Sequence, residues 1–363
     1  VGAVVSQTGS QAGLAEPYAK GLEVWQDAVN AAGGLLGRKV ELRVLDDHSE
    51  AARAGPAYAQ LIAEGASLLV GPFGSAATLV AGAEAERSRH VMANGGGPSA
   101  RIYRHAQRYV FQTVAPYSSY GEGVLEMARE AGCRSLFILA RNDAAAVEMA
   151  DAARERALKI GMEAPEVLTY NGSDPFLPLI LKAREAKVDA WIAFGEVRDN
   201  ADMVIAMKRA GYAPRLFFAQ TAGERGFVRR LGQDAEYSLG ALAYDPGFPT
   251  PYNAQFVKAY VARWATPPDA TAAQAYVAAS VLALAVERAG SLDQEKLREA
   301  MAGLEAQTVA GEYRVAPSGE QIGIKPALVQ VQRGRPVILW PPSLAAGGQL
   351  QPYVNWKDRV LFK

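Results

Sequence analysis

Short apolar runs followed by longer amphipathic stretches recur along the 363 residues of the chain. Runs of strand character lie at Val40 to Leu45, Ser67 to Val70, Ser135 to Ala140, Val188 to Phe194 and Leu216 to Ala219. Between them apolar positions fall at helical spacing, as with Leu22, Trp25 and Val29 at i, i+3 and i+7. Helices are predicted over Val124 to Ala131, Ala144 to Ile160, Phe176 to Ala186 and Asp199 to Ala210. Strands alternating with helices imply parallel sheets covered on both faces, an α/β fold. About four strands precede residue 115 and a second set runs from 134 to 242, so two doubly wound lobes are expected rather than one oversized sheet.

After Pro246-Gly247-Phe248-Pro249-Thr250-Pro251 the pattern changes to three helical stretches, 252–265, 270–289 and 293–302, and then short strands near 312, 327 and 337. A chain that returns mostly as helices is completing a lobe already begun. The Ala-rich run from Ala270 to Val286 contains Thr271, Gln274 and Ser280. It falls short of the roughly 20 apolar residues of a membrane span and reads as a buried core helix.

Composition narrows the function. Half of the residues are hydrophobic and 21% are charged, which excludes disorder. Lys plus Arg and Asp plus Glu number 38 each, so no broad positive field is available for nucleic acid or an acidic membrane. The single cysteine, Cys133, has no internal partner, and His48, His90 and His105 lack ligand-like spacing, so no metal or other cofactor is expected. G-x-S-x-G, G-x-x-x-x-G-K-[ST], H-E-x-x-H and C-x-x-C are all absent. Gly95-Gly96-Gly97-Pro98-Ser99-Ala100 has the outline of G-x-G-x-x-A, but Pro98 interrupts the turn and no acidic residue follows at the dinucleotide distance. Asp46-Asp47 reads as a pair of polar caps at a strand end. The chain opens on the strand-like Val1-Gly2-Ala3-Val4-Val5, which suits a cytoplasmic protein or one whose leader has been removed.

Binding loops are what remain. Gly71-Pro72-Phe73-Gly74-Ser75-Ala76-Ala77-Thr78 follows a strand and opens a helix, so backbone N–H groups and the helix dipole point to the carboxyl end of the sheet, where open α/β sheets take ligands. Ser75 and Thr78 add hydroxyls suited to a carboxylate, and Phe73 adds an apolar wall. Ser75 also suits a plain helix cap.

Gly33-Gly34-Leu35-Leu36-Gly37-Arg38-Lys39-Val40-Glu41-Leu42, followed by Asp46-Asp47, resembles a segment of the leucine/isoleucine/valine-binding proteins, the type I solute-binding proteins of ABC importers. The resemblance extends through Thr8-Gly9, the Gly71 and Gly95 loops, Lys208-Arg209-Ala210-Gly211 and Trp340-Pro341-Pro342, nearly the whole chain. It implies two Rossmann-like lobes joined by three crossovers and closing on a small ligand, export to the periplasm with the leader removed, a monomer, and a membrane permease as partner. Crossovers placed near Ala115-Pro116, Tyr244-Asp245-Pro246 and Gly319 to Gly323 give a first lobe of 1–115 with 246–320, a second of 116–245 with 321–345, and a surface tail of 346–363.

By the same resemblance Ser75 matches the hydroxyl that holds a ligand carboxylate, and Gly74, Gly95 and Gly96 lie in loops that present backbone groups. Four departures bear on the ligand: Gly97 stands where amino-acid binders have threonine, Thr221 where they have glutamate, Tyr117 where many have aspartate, and Ala145 where an aromatic is customary. A desolvated ammonium needs an anionic partner. An α-amino acid is therefore disfavoured unless Glu196 substitutes, and an aromatic or other small carboxylate fits Phe73 and Tyr117 better. Tyr120 and Tyr244 either line the ligand or pack at the hinge. The function implied is capture without covalent chemistry; the alternatives are a cytoplasmic amide sensor of the same fold and, last, a nucleotide-dependent enzyme.

Overall fold

The computed structural model describes residues 1–104, 107–345 and 347–359. The chain forms two compact units, one of residues 1–116 and 244–325, the other of residues 117–243 and 326–363. The first begins with β1 (Gly2–Val5), α1 (Ala12–Ala31), β2 (Arg43–Asp46), α2 (Ala54–Ala63), β3 (Leu69–Val70), α3 (Ser75–Ser88), β4 (Met92–Asn94) and β5 (Val110–Gln112). Its strands are all parallel in the order β2-β1-β3-β4-β5, so the winding direction reverses between β1 and β3.

The second unit winds through α4 (Glu122–Glu130), β6 (Leu136–Arg141), α5 (Ala144–Lys159), β7 (Val167–Tyr170), α6 (Leu177–Glu185), β8 (Ala190–Phe194), α7 (Val197–Ala210), β9 (Leu216–Ala219), α8 (Arg225–Leu231) and β10 (Leu239–Leu242). The chain then returns to the first unit as α9 (Asn253–Trp264), α10 (Ala270–Ala289), α11 (Gln294–Ala302) and the hairpin β11 (Ala306–Thr308) and β12 (Gly311–Tyr313). It ends in the second unit with β13 (Ala327–Gln332) and β14 (Arg335–Trp340). The second sheet runs β14-β13-β10-β9-β8-β6-β7, parallel from β10 to β7, with β13 and β14 added antiparallel. Its winding reverses between β6 and β8, the same pattern as in the first unit.

Local chemistry explains where elements start and stop. The strand-like run at Val40 joins the sheet only at Arg43, because the Asn30 side chain takes both backbone groups of Val40, accepting from its N–H at 2.7 Å and donating to its carbonyl at 2.9 Å. Five strands stand where the pattern implied about four; β4 and β5 have three residues each, too few to show alternation. The Gly33-Gly34-Leu35-Leu36-Gly37 motif is a tight turn after α1, in which a Cβ on Gly34 would lie 1.9 Å from the Arg38 carbonyl oxygen. Helix α10 is long and apolar enough to cross a membrane, yet its Ala and Val positions are buried in the first unit. It approaches α1 so closely that a Cβ on Gly21 would lie 2.2 Å from the Ala272 carbonyl oxygen. The stretch after β14 is docked on the second sheet through residues 351 and 353. Tyr353 is buried against Phe217, and Gln330 donates to the Gln351 carbonyl at 2.7 Å.

Candidate functional site

In a doubly wound sheet the loops at the carboxyl ends of the strands, beside the point where the winding reverses, are left open to a ligand. In the first unit these include the loops after β3 and β4. They are locked together: the Gly74 N–H donates to the Gly96 carbonyl at 2.9 Å, and the Ser99 N–H donates to the Ser75 hydroxyl oxygen at 3.3 Å. The approach demands glycine, since a Cβ on Gly96 would lie 2.2 Å from the Pro72 carbonyl oxygen and 2.6 Å from Phe73 Cα. Phe73, Gly74, Ser75, Gly95, Gly96 and Gly97 are therefore neighbours.

Their roles differ. Gly74, at φ +93°, is the N-cap of α3, and Ser75 is the first helical residue with no capping hydrogen bond. Ser75 is half-buried, and among the described residues no group accepts from its hydroxyl. Thr78 is fully buried and its hydroxyl donates to the Gly74 carbonyl at 2.9 Å, so it serves the helix start rather than an exposed cradle. Gly97 is held by Asn94, whose side chain accepts from its N–H and donates to its carbonyl, both at 2.8 Å. Phe73 is half-buried beside Tyr18, with ring centroids 6.3 Å apart. Beside this site, Asp46 stitches the loops after β1 and β2. Burial alone would raise its pKa, but hydrogen bonds from the Thr8 hydroxyl at 2.7 Å and from backbone N–H groups of His48 and Gln7 hold it below the usual range.

The second unit carries Tyr117, Ala145, Glu196 and Thr221. Tyr117 is partly buried, its ring 6.1 Å from that of Tyr120 in an edge arrangement. Ala145 lies in the first turn of α5, where its N–H donates to the Asp143 carboxylate at 3.0 Å. Glu196 precedes α7 and is already paired: its carboxylate lies 2.5 Å from the Arg141 guanidinium. Arg141 also meets Asp199 at 3.2 Å, and burial pushes the Asp199 carboxyl up, only partly offset by that cation. Thr221, 5% exposed, accepts from the Asn200 amide at 2.8 Å, and the Asn200 N–H donates to the Glu196 carbonyl at 3.0 Å. The ends of β8 and β9 are thereby joined. Tyr244 belongs to the first unit, where its hydroxyl donates to Asn253 at 2.6 Å; it packs there.

Sequence reading missed Asn200, Arg141 and Glu224. Glu224 precedes α8, three residues beyond Thr221. Although it reaches solvent, the surrounding protein desolvates its carboxylate and pushes its pKa up, and among the described residues no cation pairs with it. Its place just after a strand was the available signal. Among the described residues no group of His, Cys, Asp and Glu is arranged to hold a metal. His48 is bound to Thr8 and Asp46, His90 to the Ser88 carbonyl, and His105 lies outside the described residues.

The family described as periplasmic binding protein matches residues 1–336. The leucine-, isoleucine-, valine-, threonine-, and alanine-binding protein of Pseudomonas aeruginosa is 22% identical over 299 residues, 81% of this chain and 79% of that protein. Among solved structures, the ABC transporter substrate-binding protein of Desulfitobacterium hafniense in complex with Leu has a TM-score of 0.77 at 22% identity, covering 93% of this chain and 99% of that one. The ABC transporter solute-binding protein of R. palustris in complex with benzoate has a TM-score of 0.73 at 21% identity, covering 93% and 94%. The fold is that of these binding proteins.

Proposed function

Because the chain belongs to the periplasmic binding protein family, we propose that it captures a small organic carboxylate in the periplasm and delivers it, as a monomer, to the membrane permease of an ABC importer. Small-solute binding for ABC transport is the activity that the family match and the relatives support. The observation that carries the carboxylate is the start of α3. There the Ser75 hydroxyl proton has no acceptor among the described residues and lies beside first-turn N–H groups that precede the first intrahelical bond. Hydrogen bonds to an ionised oxygen are the strong ones, and exclusion of water on capture strengthens them further. Binding of this kind needs no covalent step, and the cytoplasmic sensor is not favoured by relatives that serve transporters.

An aromatic acid is the first choice of ligand. Phe73 supplies an apolar wall beside Ser75 in the first unit, and a solute-binding protein of similar fold is in complex with benzoate. One observation favours a second reading, an amino acid. Among the described residues Glu224 is a carboxylate without a cation, whereas Glu196 is already engaged by Arg141.

A thermal-shift panel on protein stripped of carried-over ligand tests both. A ligand at about 100 times its Kd adds roughly 2.7 kcal/mol to the folded state, a shift of several degrees. Stabilisation by benzoate and phenylalkanoates but not by leucine is the expected result. Stabilisation by leucine alone moves the assignment to the amino acid, and stabilisation by sugars or nucleotides alone overturns the carboxylate.

A further inference from the structure

Helix α10 serves two neighbours with opposite faces. At about 100° per residue, Gln274 and Ala278 lie on one side and Tyr276, Ser280 and Glu287 on the other. The first pair meets the loop after β4, where a Cβ on Gly95 would lie 2.7 Å from Ala278 Cβ and 3.1 Å from the Gln274 carbonyl oxygen. The second set lines a cleft of about 410 Å³, together with Trp25 of α1, Tyr252 before α9 and Ala306 to Val309 of the hairpin. The cleft therefore lies across α10 from the Gly95 loop and wholly within the first unit. Trp25 is 4% exposed, Tyr276 is half-buried and Tyr252 stands toward solvent. Glu287 is the one charged residue among those that line the cleft; it is exposed and has no cation among the described residues. Arg288 beside it is committed elsewhere, donating to the Gly303 carbonyl at 2.6 Å. The hydroxyls of Tyr276 and Ser280 likewise have no hydrogen-bond partner among the described residues. Ala28 and Ala283 make the room, where larger side chains would fill it.

We propose that this cleft is a second small-molecule site of the first unit and takes an elongated organic cation, an ammonium carried on an apolar body. A mostly apolar cleft of this size with a few polar groups is the ordinary form of a small-ligand site. Aromatic faces and a carboxylate both attract positive charge, and neither attracts an anion. The rings of Trp25 and Tyr276 take the apolar body, Leu284 continues the apolar wall, and Glu287 takes the ammonium. Eleven residues at the helical rise put Tyr276 and Glu287 about 16 Å apart along α10, so a body of several methylenes is needed to reach both. The inference is independent of the carboxylate reading: it uses other residues and a ligand of opposite charge.

Calorimetric titration of the full chain with 6-phenylhexylamine and with the uncharged 6-phenylhexanol tests it. The proteins are the wild type, Glu287→Gln, Glu287→Lys, Ala28→Trp and Ser75→Ala. Glu287 and Ala28 are exposed, so their variants should melt with the wild type. The wild type should bind one amine per chain with a Kd below about 1 mM, and at least about threefold more tightly than the alcohol. Glu287→Gln should weaken the amine about threefold and Glu287→Lys about tenfold, with the alcohol unchanged in both. Ala28→Trp should fill the cleft and abolish binding of both compounds, and Ser75→Ala should leave both affinities as they are. An amine affinity unchanged in Glu287→Lys and Ala28→Trp overturns the proposal, as does equal affinity for amine and alcohol in the wild type. Loss of amine binding in Ser75→Ala overturns it too, by moving the amine to the start of α3, and so does the absence of binding below about 1 mM.

Discussion

The two units wind their parallel strands in the same order, yet the loops at the carboxyl ends of those strands carry opposite chemistry. In the first unit the turn after β3 and the Gly95-Gly96-Gly97 stretch after β4 carry no charged side chain and are built of glycine backbone, the Ser75 hydroxyl and the Phe73 ring. In the second, Asp143, Glu196 and Asp199 gather around one cation, Arg141, and Glu224, further along the chain, has none among the described residues. The topology fixes where loops open; the side chains decide the sign of what they accept. The first unit offers uncharged hydrogen-bond donors there, and the second offers carboxylates of its own.

Substitutions separate the two. The largest effect should come from Gly96→Ala, which drives a Cβ into the Pro72 carbonyl and Phe73 Cα. Two backbones must part, so a loss of about 3 kcal/mol in denaturant unfolding is expected, with ligand stabilisation abolished. Arg141→Ala breaks the second unit instead. It leaves Asp199 buried without its cation and should cost about 3 kcal/mol in the same measurement. Ser75→Ala should weaken carboxylate binding by about 1 to 3 kcal/mol. Ser75 does not cap α3 but accepts from the Ser99 N–H, so the stability loss should be no more than about 1 kcal/mol. Lowered stability with unchanged affinity would return Ser75 to a structural role.

The smallest effect is a matter of sign. The surrounding protein partly desolvates the solvent-exposed Glu224 carboxylate and raises its pKa, so the folded protein holds that proton to higher pH than the unfolded chain does. Stability from this group is fully present below the ordinary glutamate value, about pH 4, and is lost as pH rises through the raised one. Glu224→Gln should therefore melt with the wild type at pH 4 and above it at pH 7. If the carboxylate serves an ammonium, the same variant weakens leucine and spares benzoate.

Much of the fold was legible because it is written locally. Helix Ala144–Lys159 and strand Leu216–Ala219 coincide with their periodic runs almost to the residue. The Ser75 and Gly95 loops were legible for the same reason, as a glycine-rich break between strand and helix. What escaped depends on residues far apart in sequence. Val40 looks like strand until Asn30 takes its backbone, and Thr78 looks like a free hydroxyl until the helix start claims it. Glu196 appeared as the spare anion because Arg141, 55 residues earlier, shows its partner only once β6 and β8 lie side by side. Asn200 carries no motif; its meaning comes from Thr221, 21 residues on.

The central claim is that the start of α3 holds a ligand carboxylate, and calorimetric titration of wild-type and Ser75→Ala protein with benzoate tests it most directly. Saturable one-to-one binding that weakens about tenfold or more in the variant is the predicted result. Equal affinity in the two proteins would contradict the account.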